Sequence, residues 1–89
     1  MYVVGLNRLF YTPAGFTPGL AVTGKLMDQR LTIVQDGVSF VEYEPGMYYC
    51  DITIPEYGTY IMRTFEGGVL RLVQTIPVDP PWGLVRYKL

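Results

Sequence analysis

The stretch that decides the fold is Gly46-Met47-Tyr48-Tyr49-Cys50-Asp51-Ile52-Thr53-Ile54-Pro55-Glu56-Tyr57-Gly58-Thr59-Tyr60. Successive strand residues point to opposite faces, so Tyr48, Cys50, Ile52 and Ile54 share one side and Tyr49, Asp51 and Thr53 the other. The first set is the core face. Pro55-Glu56-Tyr57-Gly58 breaks the strand, and alternation resumes with Tyr60, Met62 and Thr64 against Thr59, Ile61, Arg63 and Phe65. If the break closes a hairpin, Asp51 falls opposite Arg63, an opposite-charge pair that favours this register.

Working outward, Gly, Pro and Asp punctuate the chain into short segments of strand composition, spaced as in a sandwich. Strands are predicted over 2–11, 19–27, 30–35, 38–44, 46–54, 59–65 and 69–78, with an extended piece over 82–88. Asp36-Gly37 reads as a tight hairpin turn, since an Asp-Gly pair tolerates the positive φ required there. Glu66-Gly67-Gly68 is a turn that either closes a hairpin or carries the chain to the other sheet. Thr12 to Gly19 is a loop with Phe16 at its centre, either a contact residue or a ring folded back over the core. One parity of each strand predicts a core of Leu20, Val22, Leu26, Ile33, Phe40, Tyr48, Cys50, Ile52, Tyr60, Met62, Leu70 and Leu72.

The expected fold class is therefore all-β: a small antiparallel sandwich of about seven strands. It fills residues 1–89 as a single domain, with 80–89 as an extended C-terminal strand or arm. A chain of 89 residues holds one core and buries only roughly 60–65% of the surface its unfolded form exposes. The charged fraction is 17% and the hydrophobic fraction 49%, against about 25% charged in an ordinary soluble domain. The deficit of surface polarity points to partners.

Composition also argues against several function classes. Seven basic and eight acidic residues are scattered singly, so no stripe exists to neutralise a run of phosphates, and nucleic acid is not expected as a partner. There is no His, which removes the commonest general base and zinc ligand together. The single Cys50 has no disulfide partner within the chain and reads as an inert core residue. Glu42 and Glu44 share a strand face and could bind a hard cation or act as an acid–base couple, but beside Pro45 they read as a solvated edge. No apolar run approaches the ~20 residues that span a bilayer, and no secretory leader is evident, so folding in a cytoplasm without membrane contact is expected. No enzymatic activity and no cofactor are expected.

The pattern Gly-x-Tyr, alternating apolar positions, then Pro-x-x-Gly-x-Tyr resembles the core signature of immunoglobulin-like sandwich modules, including filamin-type repeats. There the Pro-x-x-Gly-x-Tyr run marks the crossing between two strands. With Thr17-Pro18-Gly19-Leu20-Ala21-Val22-Thr23 the likeness widens, over about residues 8–76, to small sandwich domains of tailed-bacteriophage virion proteins, including capsid decoration and fibre modules. The resemblance implies a structural virion protein, assembled in the host cytoplasm, that binds the major capsid protein or other virion proteins in a homo-oligomeric or multi-copy arrangement. A fibre or tail component is the near variant. A carbohydrate- or ligand-binding module is the alternative, because sugars stack on exposed rings such as Trp82.

The expected partner contacts are Tyr2, Val3, Phe16, Trp82, Leu84, Val85, Tyr87 and Leu89. Residues 1–4 begin at once with strand types, and Pro80-Pro81 imposes an extended spacer before a tail with apolar residues on both faces. A second apolar face asks for a partner, and strand addition along an open edge would satisfy its backbone as well.

Overall fold

The computed structural model describes residues 2–80. The predicted strand 82–88, most of the predicted arm, and the contact residues Trp82, Leu84, Val85, Tyr87 and Leu89 lie outside the described residues. The described chain is all-β, with seven strands: β1 (Gly5–Tyr11), β2 (Val22–Asp28), β3 (Ile33–Ser39), β4 (Val41–Glu44), β5 (Met47–Ile54), β6 (Gly58–Glu66) and β7 (Val69–Val78). They form two antiparallel sheets, ordered β1-β5-β4 and β3-β2-β6-β7. A one-turn 3-10 segment, Ala14–Phe16, lies in the loop after β1.

The β5 alternation holds: Tyr48, Cys50, Ile52 and Ile54 are all buried. They face Leu26, Tyr60, Met62 and Ile76 across the sandwich, with Leu9 beside them on β1. Two turns follow directly from sequence. Pro45-Gly46 joins β4 to β5, Pro fixing one central residue and Gly46 (φ 77°) supplying the positive φ at the next. Gly67 and Gly68 both have positive φ between Glu66 and Val69, the mirror-image turn that suits a two-residue hairpin, so this turn joins β6 to β7 within one sheet.

Four expectations are corrected. First, Pro55 to Gly58 does not close a hairpin: β5 pairs with β1 and β4, whereas β6 pairs with β2 and β7. The segment crosses between sheets, so Asp51 lies opposite Arg8 rather than Arg63. Second, Asp36-Gly37 is a bulge inside β3. Two residues there oppose the single Lys25 between the pairs Gly24–Val38 and Leu26–Gln35, and Gly37 takes φ 62°. Third, the predicted strand 38–44 is split at Phe40, where the chain leaves one sheet for the other and the Phe40 amide donates to the Val22 carbonyl at 3.0 Å.

Fourth, bulges shift the core parity. Ile33 is 50% exposed while Val34 packs on the core, because the β2–β3 register slips twice. On β7 a slip between Thr64 and Phe65 sets Leu70 opposite outward-facing Phe65, so Leu70 is exposed. Leu72 is opposite buried Thr64 and does point inward, yet it is 39% exposed. Leu20 and Phe40 are half-buried. Leu9, Met27, Val38, Ile54, Ile76 and Val78 complete the core.

The start of the chain is tied down locally. Asn7, 8% exposed, accepts from the Val3 amide (3.0 Å) and donates to the Val3 and Gly5 carbonyls (2.6 and 3.1 Å). This side chain satisfies a bend that shortens the first strand to residues 5–11. Tyr2 then makes a single parallel bridge to Val78.

Candidate interaction surface

Three features of the surface stand out, and each follows from how the strands are ordered. The outer face of the three-stranded sheet collects residues that alternate with the core: Leu6, Arg8 and Phe10 of β1, Tyr49 and Asp51 of β5, and Val41 and Tyr43 of β4. Register sets Phe10 and Val41 on either side of Tyr49, and Arg8 opposite Asp51. Phe10 meets Tyr43 edge-on at 5.9 Å between centroids, and Tyr43 meets Tyr49 at the same distance with the rings tilted by 57°. The Arg8 guanidinium sits 4.2 Å from the Tyr49 centroid and bonds Asp51 at 2.8 Å. That hydrogen bond holds the Asp51 carboxyl below, and the Arg8 group above, its ordinary range. Phe10 remains 60% exposed and Leu6 70%, so an aromatic and aliphatic patch lies on this sheet face with one ion pair beside it.

The second feature is the open side of the sandwich, where β1 and β7 are the edges of their sheets. Inward-facing residues of β7 become less covered along the strand: Val78 and Ile76 are buried, Gln74 is half-buried and Leu72 is exposed. Leu72 remains 39% exposed. A groove of about 560 Å³ opens there, walled by Phe10, Tyr11, Thr12 and Ala14 on one side and by Arg71 and Leu72 on the other. Its floor is polar. Tyr11 donates a short hydrogen bond to Glu66, and Arg71 approaches the other Glu66 oxygen at 3.5 Å. Burial and then the Glu66 bond push the Tyr11 phenol up to about 12.

The third feature is the loop between β1 and β2, which is anchored at several points. The Tyr48 hydroxyl, at the top of the core, donates to the Thr17 carbonyl and accepts from the Leu20 amide, each at 2.9 Å. The Glu42 carboxylate accepts from Gly19 (3.2 Å) and Gly46 (2.9 Å). The Phe16 backbone lies directly on Gly46, where a Cβ would overlap it. The Phe16 ring does not fold back over the core; it is 57% exposed.

Of the expected contact residues within the described chain, Val3 is exposed and Tyr2 is half-buried with its ring against the core. Phe16 lies at the opposite end of β5 from Tyr2, so the structure does not bring these residues together. The sheet-face patch was missed, although Phe10, Tyr43 and Tyr49 could have been found by asking which aromatics fall on the parity opposite to the core.

The Cys50 thiol is held in an unreactive form. Cys50 is buried, and its thiol is pushed up to about 12 chiefly by burial, so it is protonated at neutral pH. Among the described residues no three His, Cys, Asp or Glu side chains gather closely enough to hold a metal ion, and the Glu42 carboxylate is engaged by the Gly19 and Gly46 amides. No known protein family matches the chain, and no curated protein matches it.

Proposed function

We propose that this chain is an immunoglobulin-like module that works without catalysis or cofactor, as a structural subunit presenting protein-binding surfaces. A tailed-phage virion, assembled in the host cytoplasm, is the assembly to which its sequence resemblance points. The observation that carries the reading is strand order. If β1 to β7 are matched to strands B, C, C′, D, E, F and G of an immunoglobulin sandwich, the sheets read B-E-D and C′-C-F-G, which is that fold without strand A. Two details agree with it. Tyr60, at the start of the strand matched to F, donates to the Glu56 carbonyl four residues back, as a tyrosine corner does. Tyr2 also runs parallel to the strand matched to G.

The exposed apolar face of the three-stranded sheet supports protein contact as the mode of action. On it, a role as a capsid decoration subunit follows from the resemblance, with a fibre or tail component as its variant. Mass spectrometry of purified virions of the phage whose genome encodes the chain tests this. The expected result is a multi-copy component that remains after nuclease and detergent washes; its absence from the particle refutes the virion role.

The aromatic cluster of Phe10, Tyr43 and Tyr49 favours a second reading, a sugar-binding module. Sugar stacking needs ring faces turned outward together, whereas Phe10 and Tyr43 meet at 72° and Tyr43 and Tyr49 at 57°. Rings packed on one another in this way suit an irregular protein surface better. Retention on a glycan array, abolished by Tyr43→Ala, would reverse that preference.

A further inference from the structure

We infer that the β1 edge and the groove over Leu72 form an acceptor site for an extended strand, and that residues 82–89 of a second copy of this chain fill it. The inference rests on the reading of the domain as an assembly subunit and names how copies join. Three observations define the site. Among the described residues, β1 hydrogen-bonds to β5 on one side only and presents a free strand edge on the other. Leu72 points between the sheets yet stays 39% exposed. The groove between them opens at the Tyr11 end of that edge, with Phe10 and Tyr11 on one wall and Leu72 on the other.

The occupant is identified by length, pattern and direction. Residues 82–89 extend about 26 Å and the seven residues of β1 about 23 Å, at ~3.3 Å per residue. In Trp82-Gly83-Leu84-Val85-Arg86-Tyr87-Lys88-Leu89, strand alternation places Val85, Tyr87 and Leu89 on one wholly apolar face. That face suits Leu72, and Trp82, Leu84, Arg86 and Lys88 fall on the other. The source is a second copy because of how β7 ends. Asp79 and Pro80 each precede a proline, which disfavours the turn-forming backbone region at both positions. The Asp79 amide also bonds the Tyr2 carbonyl at 3.4 Å. Neither Asp79 nor Pro80 therefore favours the tight turn that would send the chain back onto its own β1.

Donor–acceptor complementation in the full-length chain tests this. Sedimentation velocity should show the parent shifting from monomer to dimer or larger species with concentration. Leu72→Glu, which spoils the acceptor, and Val85→Glu, which spoils the donor, should each weaken self-association at least about tenfold. Mixing the two variants should restore association, because each supplies what the other lacks. Circular dichroism confirms that both are folded. Should Leu72→Glu fail to fold, disulfide trapping between Leu72→Cys and Val85→Cys copies reads the same contact. A parent that stays monomeric overturns the inference, as does a mixture that fails to associate. A Leu72→Cys/Val85→Cys double variant that cross-links within one copy also overturns it, since the tail would then fill its own groove. Presence in virions is measured separately, so this inference can fail while the virion reading stands.

Discussion

The Tyr60 hydroxyl donates a 2.8 Å hydrogen bond to the carbonyl of Glu56, across the segment where the chain passes from one sheet to the other. Pro55 cannot continue the β5 ladder, and Gly58 (φ 141°) takes a backbone conformation open to few other residues. The Tyr60 ring is buried while its hydroxyl fixes the crossing from within. Tyr60→Phe keeps the ring and removes the bond, at a cost of about 1 kcal/mol. For a domain of this size that lowers the melting temperature by about 4–8 °C. An unchanged melting curve would show that the crossing is held by Pro55 and Gly58 alone.

Core and groove positions should respond differently to truncation. Ile52 is fully buried, so Ile52→Ala should cost about 2–5 kcal/mol, a large part of the stability of a small domain. Leu72→Ala, at a half-open position, should cost markedly less in urea titrations of dilute protein. Equal losses at both sites would mean that Leu72 is covered in solution.

What was legible in the sequence was governed by short-range rules, and what was hidden was governed by strand pairing. Parity identified the inward face of β5 because Tyr48–Ile54 is an unbroken ladder against β1. The same rule misplaced Ile33 and Leu70 because one extra residue in a bulge inverts every side chain beyond it. Asp36-Gly37 shows the limit of turn chemistry: Gly37 has the predicted positive φ, but a bulge needs it as much as a hairpin does. The aromatic face and the groove depend on which strands are neighbours, as the partnering of Asp51 with Arg8 shows. No local pattern states that order.

Alkaline stability should report on two proton donors, one buried and one half-buried. Cys50 is raised from 9.0 to about 12 and Tyr11 from 10.0 to about 12, so the fold favours the protonated form of each. Their contributions are fully present below pH 9 and 10 respectively, and are lost as pH climbs toward 12. Unfolding free energy should therefore fall across that window. Cys50→Ala should flatten the decline from pH 9 upward, and Tyr11→Phe only above pH 10. A parent whose stability is level from pH 9 to 12 contradicts both shifts.

Gly46 should tolerate no side chain. Its φ of 77° already disfavours L-residues, and the Phe16 backbone occupies the space a Cβ would need. Gly46→Ala should cost about 1–3 kcal/mol and displace the loop between β1 and β2. Protease cleavage near Phe16 should accelerate in the variant. Destabilisation without faster cleavage would place the strain in the turn rather than in the loop contact.

Glu42 and Glu44 look equivalent in sequence, two carboxylates on one short strand, and the structure separates them. Glu42 places one oxygen on the Gly19 amide and the other on the Gly46 amide, joining the β1–β2 loop to the β4–β5 turn. These are charge-assisted bonds to backbone donors; Gly19 and Glu42 are exposed while Gly46 is buried, so water replaces only part of what is lost. Glu42→Ala should cost about 1 kcal/mol, with faster hydrogen exchange at the Gly19 and Gly46 amides. Glu42→Gln should lie between, because an amide has one oxygen to offer to two donors. Glu44→Ala should change stability by less than about 0.5 kcal/mol. The order Glu42→Ala, Glu42→Gln, Glu44→Ala in decreasing loss is the expected result. Equal effects of the two alanine variants would assign the loss to the net charge of the strand rather than to the bridge between loops.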